Sequence, residues 1–126
     1  MAREIKLHKG LDIRLQGEAD LVKAEAVAGK LYAIVPDDFY GIKPKVIVHE
    51  GDTVKAGDAL FVSKQDERLK VVSPVSGIVK CVNRGERRKV LDIQIEADGK
   101  DDEKDFGIKS PSGMSSDEVL VHLLET

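Results

Sequence analysis

Residues 51–61 read GDTVKAGDALF. Two glycines stand six apart, each followed by aspartate, and Val48, Val54 and Leu60 keep the same six-residue beat around them. Glycine permits the positive φ that a tight reversal needs. An aspartate carboxylate beside it can accept local backbone amides. The apolar residues between the turns can then drop into a core at each pass. The stretch predicts a compact double reversal with Gly51 and Gly57 as its structural turns, and not a helix.

Around it lie five short β-rich runs: KVIV (45–48), ALFVS (59–63), LKVV (69–72), GIVKCV (77–82) and KVLDIQI (89–95). Turn signals separate them, with Pro74, Gly77 and Gly85 as further turn residues. Short strands at this spacing predict a small sandwich or barrel. A weak internal repeat, VHEG (48–51) and VNRG (82–85), sits within two similar strand sets. Upstream, IKLHKGLDIRL (5–15) places Ile5, Leu7, Leu11, Ile13 and Leu15 on odd positions. That alternation predicts a half-buried extended arm, bent at Gly10. KLYAIVP (30–36) is an apolar run stopped by Pro36, and a turn-rich connection follows.

Residues 98–114 are polar and rich in turn residues, and read as a linker. SSDEVLVHLLET (115–126) then predicts a helix opened by a Ser115–Glu118 capping box. Val119, Leu120, Val121, Leu123 and Leu124 fall on one side of it, and Glu118, His122 and Glu125 on the other. The expected organisation is a β-rich unit with an N-terminal arm over 1–99. A linker and amphipathic helix over 100–126 would begin a further domain missing from this chain.

Composition narrows the function. The chain has 126 residues, 34% charged and 4% aromatic, with a net charge of −3. Its core should be aliphatic. A dedicated nucleic-acid binder would show a net basic surface, and single-strand stacking platforms need more aromatics than three Phe and two Tyr. No run approaches the ~18 apolar residues of a membrane helix. The single cysteine, Cys81, forms no intrachain disulfide and favours a reducing compartment. Its place in an alternating strand predicts a buried structural thiol.

Three histidines, His8, His49 and His122, fall on three separate elements without metal-ligand spacing. The acidic pairs at Asp37-Asp38 and Asp101-Asp102-Glu103 lie in loops, where solvation is the default. No phosphate-cradling glycine motif is present. The reading therefore nominates no catalytic, cofactor-binding or metal residue. One cluster stands out: Arg84, Arg87, Arg88 and Lys89 lie within six residues, with Lys80 nearby. It is either a solvated turn or a docking patch for an acidic partner surface or lipid head groups.

The glycine ladder and SPVSGIV (73–79) together resemble the barrel-sandwich hybrid of biotinyl and lipoyl domains, over residues 45–82. There, V-x-x-G-D-x-V-x-x-G-x-x-L precedes a hairpin whose tip carries the modified lysine. The tip of this chain falls near Asp66-Glu67, in VSKQDERLKVV, with Lys64 before it and Lys70 after it. The resemblance thus implies the scaffold without the arm.

A longer resemblance runs through HKGLDIRLQGEA (8–19), VHEGDTVKAGDALFVSK (48–64), SPVSGIVKCVNRGERRKVLDIQIE (73–96) and DFG (105–107). These are similar to the A subunit of the sodium-translocating NADH:quinone reductase. NRGERR closely followed by VLDIQIE is the most specific piece. The related C subunit of the complex coupling ferredoxin and NAD shares the ladder but would add iron–sulfur cysteines, and no C-x-x-C occurs here. The resemblance implies a bacterial inner-membrane complex that passes electrons from NADH to quinone and exports Na+. This domain would sit on the cytoplasmic side, peripheral through other subunits and above all a membrane subunit. It would bind no cofactor, the NADH, flavins, iron–sulfur centres and quinone belonging in or with other chains. Its role would be scaffolding, docking and help in forming the quinone site, with quinone itself a candidate ligand and the fragment alone inactive. Two alternatives stay open. One is a biotinyl or lipoyl carrier or its relic; the other is a stand-alone binding module of this fold, with His49 as a phosphoryl acceptor.

Overall fold

In chain order the elements are β1 (Leu31–Ile34), β2 (Pro44–Val46), β3 (Thr53–Val54), β4 (Ala59–Ser63), β5 (Lys70–Val72), β6 (Gly77–Arg84), β7 (Val90–Ala97) and α1 (Ser116–Glu125). They come from a computed structural model that describes Lys6, His8, Gly10, Ile13 and residues 15–126. Two antiparallel sheets result, one ordered β1-β7-β6-β3 and the other β2-β4-β5. This is the mainly β fold of a barrel-sandwich hybrid, with one short terminal helix. Both sheets feed one core: Leu60, Phe61 and Val71 from the second meet Val54, Val79, Val90, Ile93 and Ile95 from the first. It is not wholly aliphatic, because Phe61 is fully buried and Phe39 meets it edge-on at 6.0 Å between ring centroids.

The ladder folds as two equivalent turns. Asp52 N–H donates to the His49 carbonyl at 3.1 Å, while the Asp52 carboxylate accepts from His49 N–H at 2.7 Å. Asp58 does the same with Lys55, at 3.0 and 2.8 Å. Between each pair sits a glycine in the left-handed region, Gly51 at φ 91° and Gly57 at φ 96°. The turns drop Val54 and Leu60 into the core on successive passes.

The other turn glycines behave differently. Gly77 is not in a turn but opens β6, opposite Ala97 of β7. It must be glycine for space, since a Cβ there would overlap the Glu96 carbonyl oxygen. Gly85 is extended, with φ −100° and ψ −152°, and lies under the Leu91 side chain. The reversal between β6 and β7 is made instead by Arg87 at φ 53° and Arg88 at φ 60°. Pro74 is exposed in the connection between β5 and β6, beside Ser73, which is buried and donates its hydroxyl to the Val75 carbonyl at 2.6 Å.

Three register shifts break the period-two pattern, one of them between Asn83 and Arg84 at the end of β6. A register shift between Ala59 and Phe61 lets Leu60 and Phe61, neighbours in sequence, both point into the core. Another follows the buried Val79 and leaves Cys81 only half-buried, correcting the expected buried thiol. An extra residue on one strand switches the face of everything after it.

Most of the alternating arm at 5–15 lies outside the described residues. Its described apolar members, Ile13 and Leu15, are 85% and 81% exposed, and no strand occurs between residues 15 and 30. Residues 102–104, within the stretch read as a linker, run beside Ala56. Ala56 N–H donates to the Asp102 carbonyl at 2.9 Å, and the Ala56 carbonyl accepts from Lys104 N–H at 2.8 Å. The following Phe106 packs against Gly57. Helix α1 carries a two-way capping box, Ser115 N–H to Glu118 at 2.8 Å and Glu118 N–H to Ser115 Oγ at 3.3 Å. Its burial departs from the predicted wheel. Leu120, Val121 and Leu123 are more than half exposed, whereas His122 is half-buried with Nδ1 unpartnered among the described residues. The helix end and Leu69 and Val71 of the β4–β5 hairpin line one cavity of 400 Å³.

A basic cavity beside the β6–β7 turn

The β4–β5 hairpin is the place where a carrier domain would expose its lysine. Here its tip is closed by Asp66, whose carboxylate accepts from Arg68 backbone N–H at 3.0 Å, Arg68 Nε at 3.0 Å and Arg68 Nη2 at 2.7 Å. The Arg68 guanidinium, with its own backbone N–H, lowers the Asp66 pKa from 3.8 to about 2. Glu67 pairs with Lys45 of β2. Lys64 stands before the tip, its backbone N–H bonded to the Lys43 carbonyl at 2.8 Å. No lysine occupies the tip, so the geometry offers an attachment enzyme an ion-paired acid and not an amine.

His49 is 89% exposed, and its Nδ1 lies 3.7 Å from Asp52, whose carboxylate already serves the turn. Ser76 is buried and donates to Asp98 at 2.8 Å while accepting from Asp102 N–H at 3.1 Å. The Lys100 backbone N–H, then the Ser76 hydroxyl, hold the Asp98 carboxyl below its ordinary range. These groups fasten residues 98–104 to the barrel.

The basic turn is where charge gathers. Arg84, Arg87, Arg88 and Lys89 line one cavity of 410 Å³, and the fold adds Lys43 and Lys64 to the same wall. Ile42, Pro44 and Val90 supply its apolar lining. The only acidic group lining it among the described residues, Asp37, is taken by Lys89 Nζ at 2.6 Å. Arg84 Nη1 donates to the Arg88 carbonyl at 3.2 Å. Lys43, Lys64, Arg84, Arg87 and Arg88 have no acidic partner among the described residues. Lys80, nearby in sequence, does not line the cavity. Lys43 and Lys64 escape a reading of the sequence because they lie 21 residues apart. They become neighbours through the pairing of Pro44 with Ser63 in β2 and β4, and that pairing is the signal that would find them.

A family model described as the NqrA N-terminal barrel-sandwich hybrid domain matches residues 5–98. Among curated relatives, the Na(+)-translocating NADH-quinone reductase A subunit of Marinomonas sp. (strain MWYL1) is 39% identical over 111 residues, covering 88% of this chain and 25% of that protein. The protein of the same name from Hahella chejuensis is 37% identical, over 95% of this chain and 27% of its own length. That of Mannheimia succiniciproducens is 34% identical, over 94% and 27%. The chain therefore spans about a quarter of the length of these relatives.

Proposed function

Since the chain belongs to the family of NqrA N-terminal barrel-sandwich hybrid domains, we propose that it serves within the A subunit of a bacterial Na+-translocating NADH:quinone reductase. In that complex NADH oxidation and quinone reduction drive Na+ export. The domain's part is scaffolding, docking and support of the quinone site, with the flavins and iron–sulfur centres held by other chains. No helix among the described residues is long and apolar enough to cross a membrane. In this reading, attachment to the cytoplasmic face of the inner membrane runs through other subunits, a membrane subunit first among them. The basic turn at Arg84, Arg87, Arg88 and Lys89 is the docking element.

The observation that carries a non-carrier role is the hairpin tip, where Asp66 locked to Arg68 occupies the place of the arm lysine. Intact-mass measurement of the protein purified from its own host tests this directly, and an added biotin or lipoyl group would overturn it. Docking is tested by reversing Arg87 and Arg88 to glutamate in the full-length protein and asking whether it still co-purifies with the membrane subunits. Steering by charge is screened by salt, so the loss should be larger at low than at high ionic strength. Unchanged co-purification and unchanged NADH-driven quinone reduction would remove the docking role.

A further inference from the structure

We propose that the cavity walled by Lys43, Lys64, Arg84 and the Arg87–Arg88 turn binds a phosphoryl group, carried by a small soluble molecule or by a lipid head group. The inference deepens the reading of this turn as a contact site, and rests on it for the claim that the turn makes contacts at all.

Charge is the first argument. The chain as a whole is net negative, yet this one cavity collects six cations and a single acid, already paired. Such a concentration of one sign over apolar walls raises the local concentration of an anion. A phosphate monoester brings about −1.5 to −2 charges and three strong acceptor oxygens. A lone carboxylate would leave most of the five unpaired cations without a counter-charge. Arginine supplies the planar fork that matches phosphate bidentately, and lysine adds point charges.

Shape is the second argument. A flat basic patch suits an acidic protein surface, whereas a concave site of 410 Å³ is of the size that small-molecule groups occupy. Backbone strain is the third. A left-handed turn is ordinarily built with glycine or asparagine, yet both left-handed residues here are arginines. Strain of this kind gathers at ligand-binding sites, where it fixes side-chain direction. Arg84, bonded to the Arg88 carbonyl, is tied to the same turn.

The test has two arms. In the first, inorganic pyrophosphate is titrated into the labelled chain and followed by amide and arginine side-chain NMR, against sodium chloride at matched ionic strength. In the second, the chain is sedimented with vesicles containing phosphatidic acid, whose head group is a phosphate monoester, and with phosphatidylcholine vesicles. Each arm is repeated with Arg84→Gln and with Lys64→Gln, the latter at an exposed loop position that leaves the barrel intact. Losing one charged hydrogen-bond donor should weaken binding roughly tenfold. Saturable pyrophosphate shifts centred on Lys43, Lys64, Arg84 and Arg88, and reduced by the substitutions, support a soluble ligand. Binding only to phosphatidic acid, reduced in the same way, supports a lipid head group. Absence of both, or binding indifferent to the two substitutions, overturns the proposal. If both arms fail while the Arg87 and Arg88 reversals still release the protein from its complex, docking stands and its partner is an acidic protein surface.

Discussion

The α-carbon of Gly77 lies so near the backbone of Glu96 that a Cβ on residue 77 would overlap the Glu96 carbonyl oxygen. The two strands carrying them, β6 and β7, are the longest in the fold and pair along almost their full length. Neither backbone has a flexible tip that could yield. Gly77→Ala is therefore expected to cost about 3 kcal/mol, the upper range of overpacking. Urea denaturation followed by circular dichroism reads this cost, and a change below about 1 kcal/mol would show that the strands can part without penalty.

Gly51 and Gly57 separate space from backbone conformation. An added Cβ at Gly51 meets nothing within 4 Å, so Gly51→Ala costs only the left-handed φ of 91°, about 1 kcal/mol. At Gly57 the same strain is joined by contact, since a Cβ would lie 3.0 Å from Phe106 Cε2 and 3.4 Å from Lys104 Cβ. Gly57→Ala should cost about twice as much. In the background of Phe106→Ala the excess at position 57 should shrink, a coupling that a double-mutant cycle isolates. Equal costs at the two glycines would mean that Phe106 does not press on the ladder.

These turns are legible in the sequence because glycine at a left-handed position and aspartate beside it are local signals. The paired use of Asp52 and Asp58 follows from the same signals. The five β-rich runs are legible too, and they become β2, β4, β5, β6 and β7. What escapes depends on pairing. The register shifts beside Leu60 and Lys80 switch faces without any change in composition, so the burial expected of Cys81 fails. β3 is two residues long and exists as a strand only because β6 lies beside it. The basic turn is visible as a run of arginines, but its cavity requires Lys43 and Lys64 from across the β2–β4 pair.

The β6–β7 turn carries its strain on arginines. With Arg87 at φ 53°, Arg87→Gly should stabilise the fold by about 1 kcal/mol, because glycine enters the left-handed region without the Cβ penalty. Relief of repulsion among the neighbouring cations could produce a similar gain. Arg87→Ala separates the two causes, since it removes the charge and keeps the Cβ. A thermal midpoint that rises for glycine but not for alanine assigns the gain to the backbone. Equal rises would assign it to charge and remove the strain argument for this turn.

Asp66 predicts how the hairpin responds to acid. Hydrogen bonds from the Arg68 side chain and backbone depress its folded-state pKa from 3.8 to about 2. A carboxylate depressed on folding contributes stability that is fully present above its unfolded pKa and lost as pH falls through the folded one. The hairpin contribution is thus intact at neutral pH and disappears between about pH 4 and pH 2. Asp98, lowered by Lys100 N–H and the Ser76 hydroxyl, acts in the same direction on the segment strapped over Ala56. Carbon-detected NMR titration of the two carboxyls reads both groups. Arg68→Gln should return the Asp66 midpoint toward 3.8 and leave Asp98 unmoved, because Arg68 is not among the groups acting on Asp98. Arg68 is exposed and the Asp66 side chain keeps 36% of its surface, so solvent screens the pair and the same substitution should leave neutral-pH stability nearly unchanged. An Asp66 midpoint that stays low without the guanidinium would place the cause in the turn backbone and not in the ion pair.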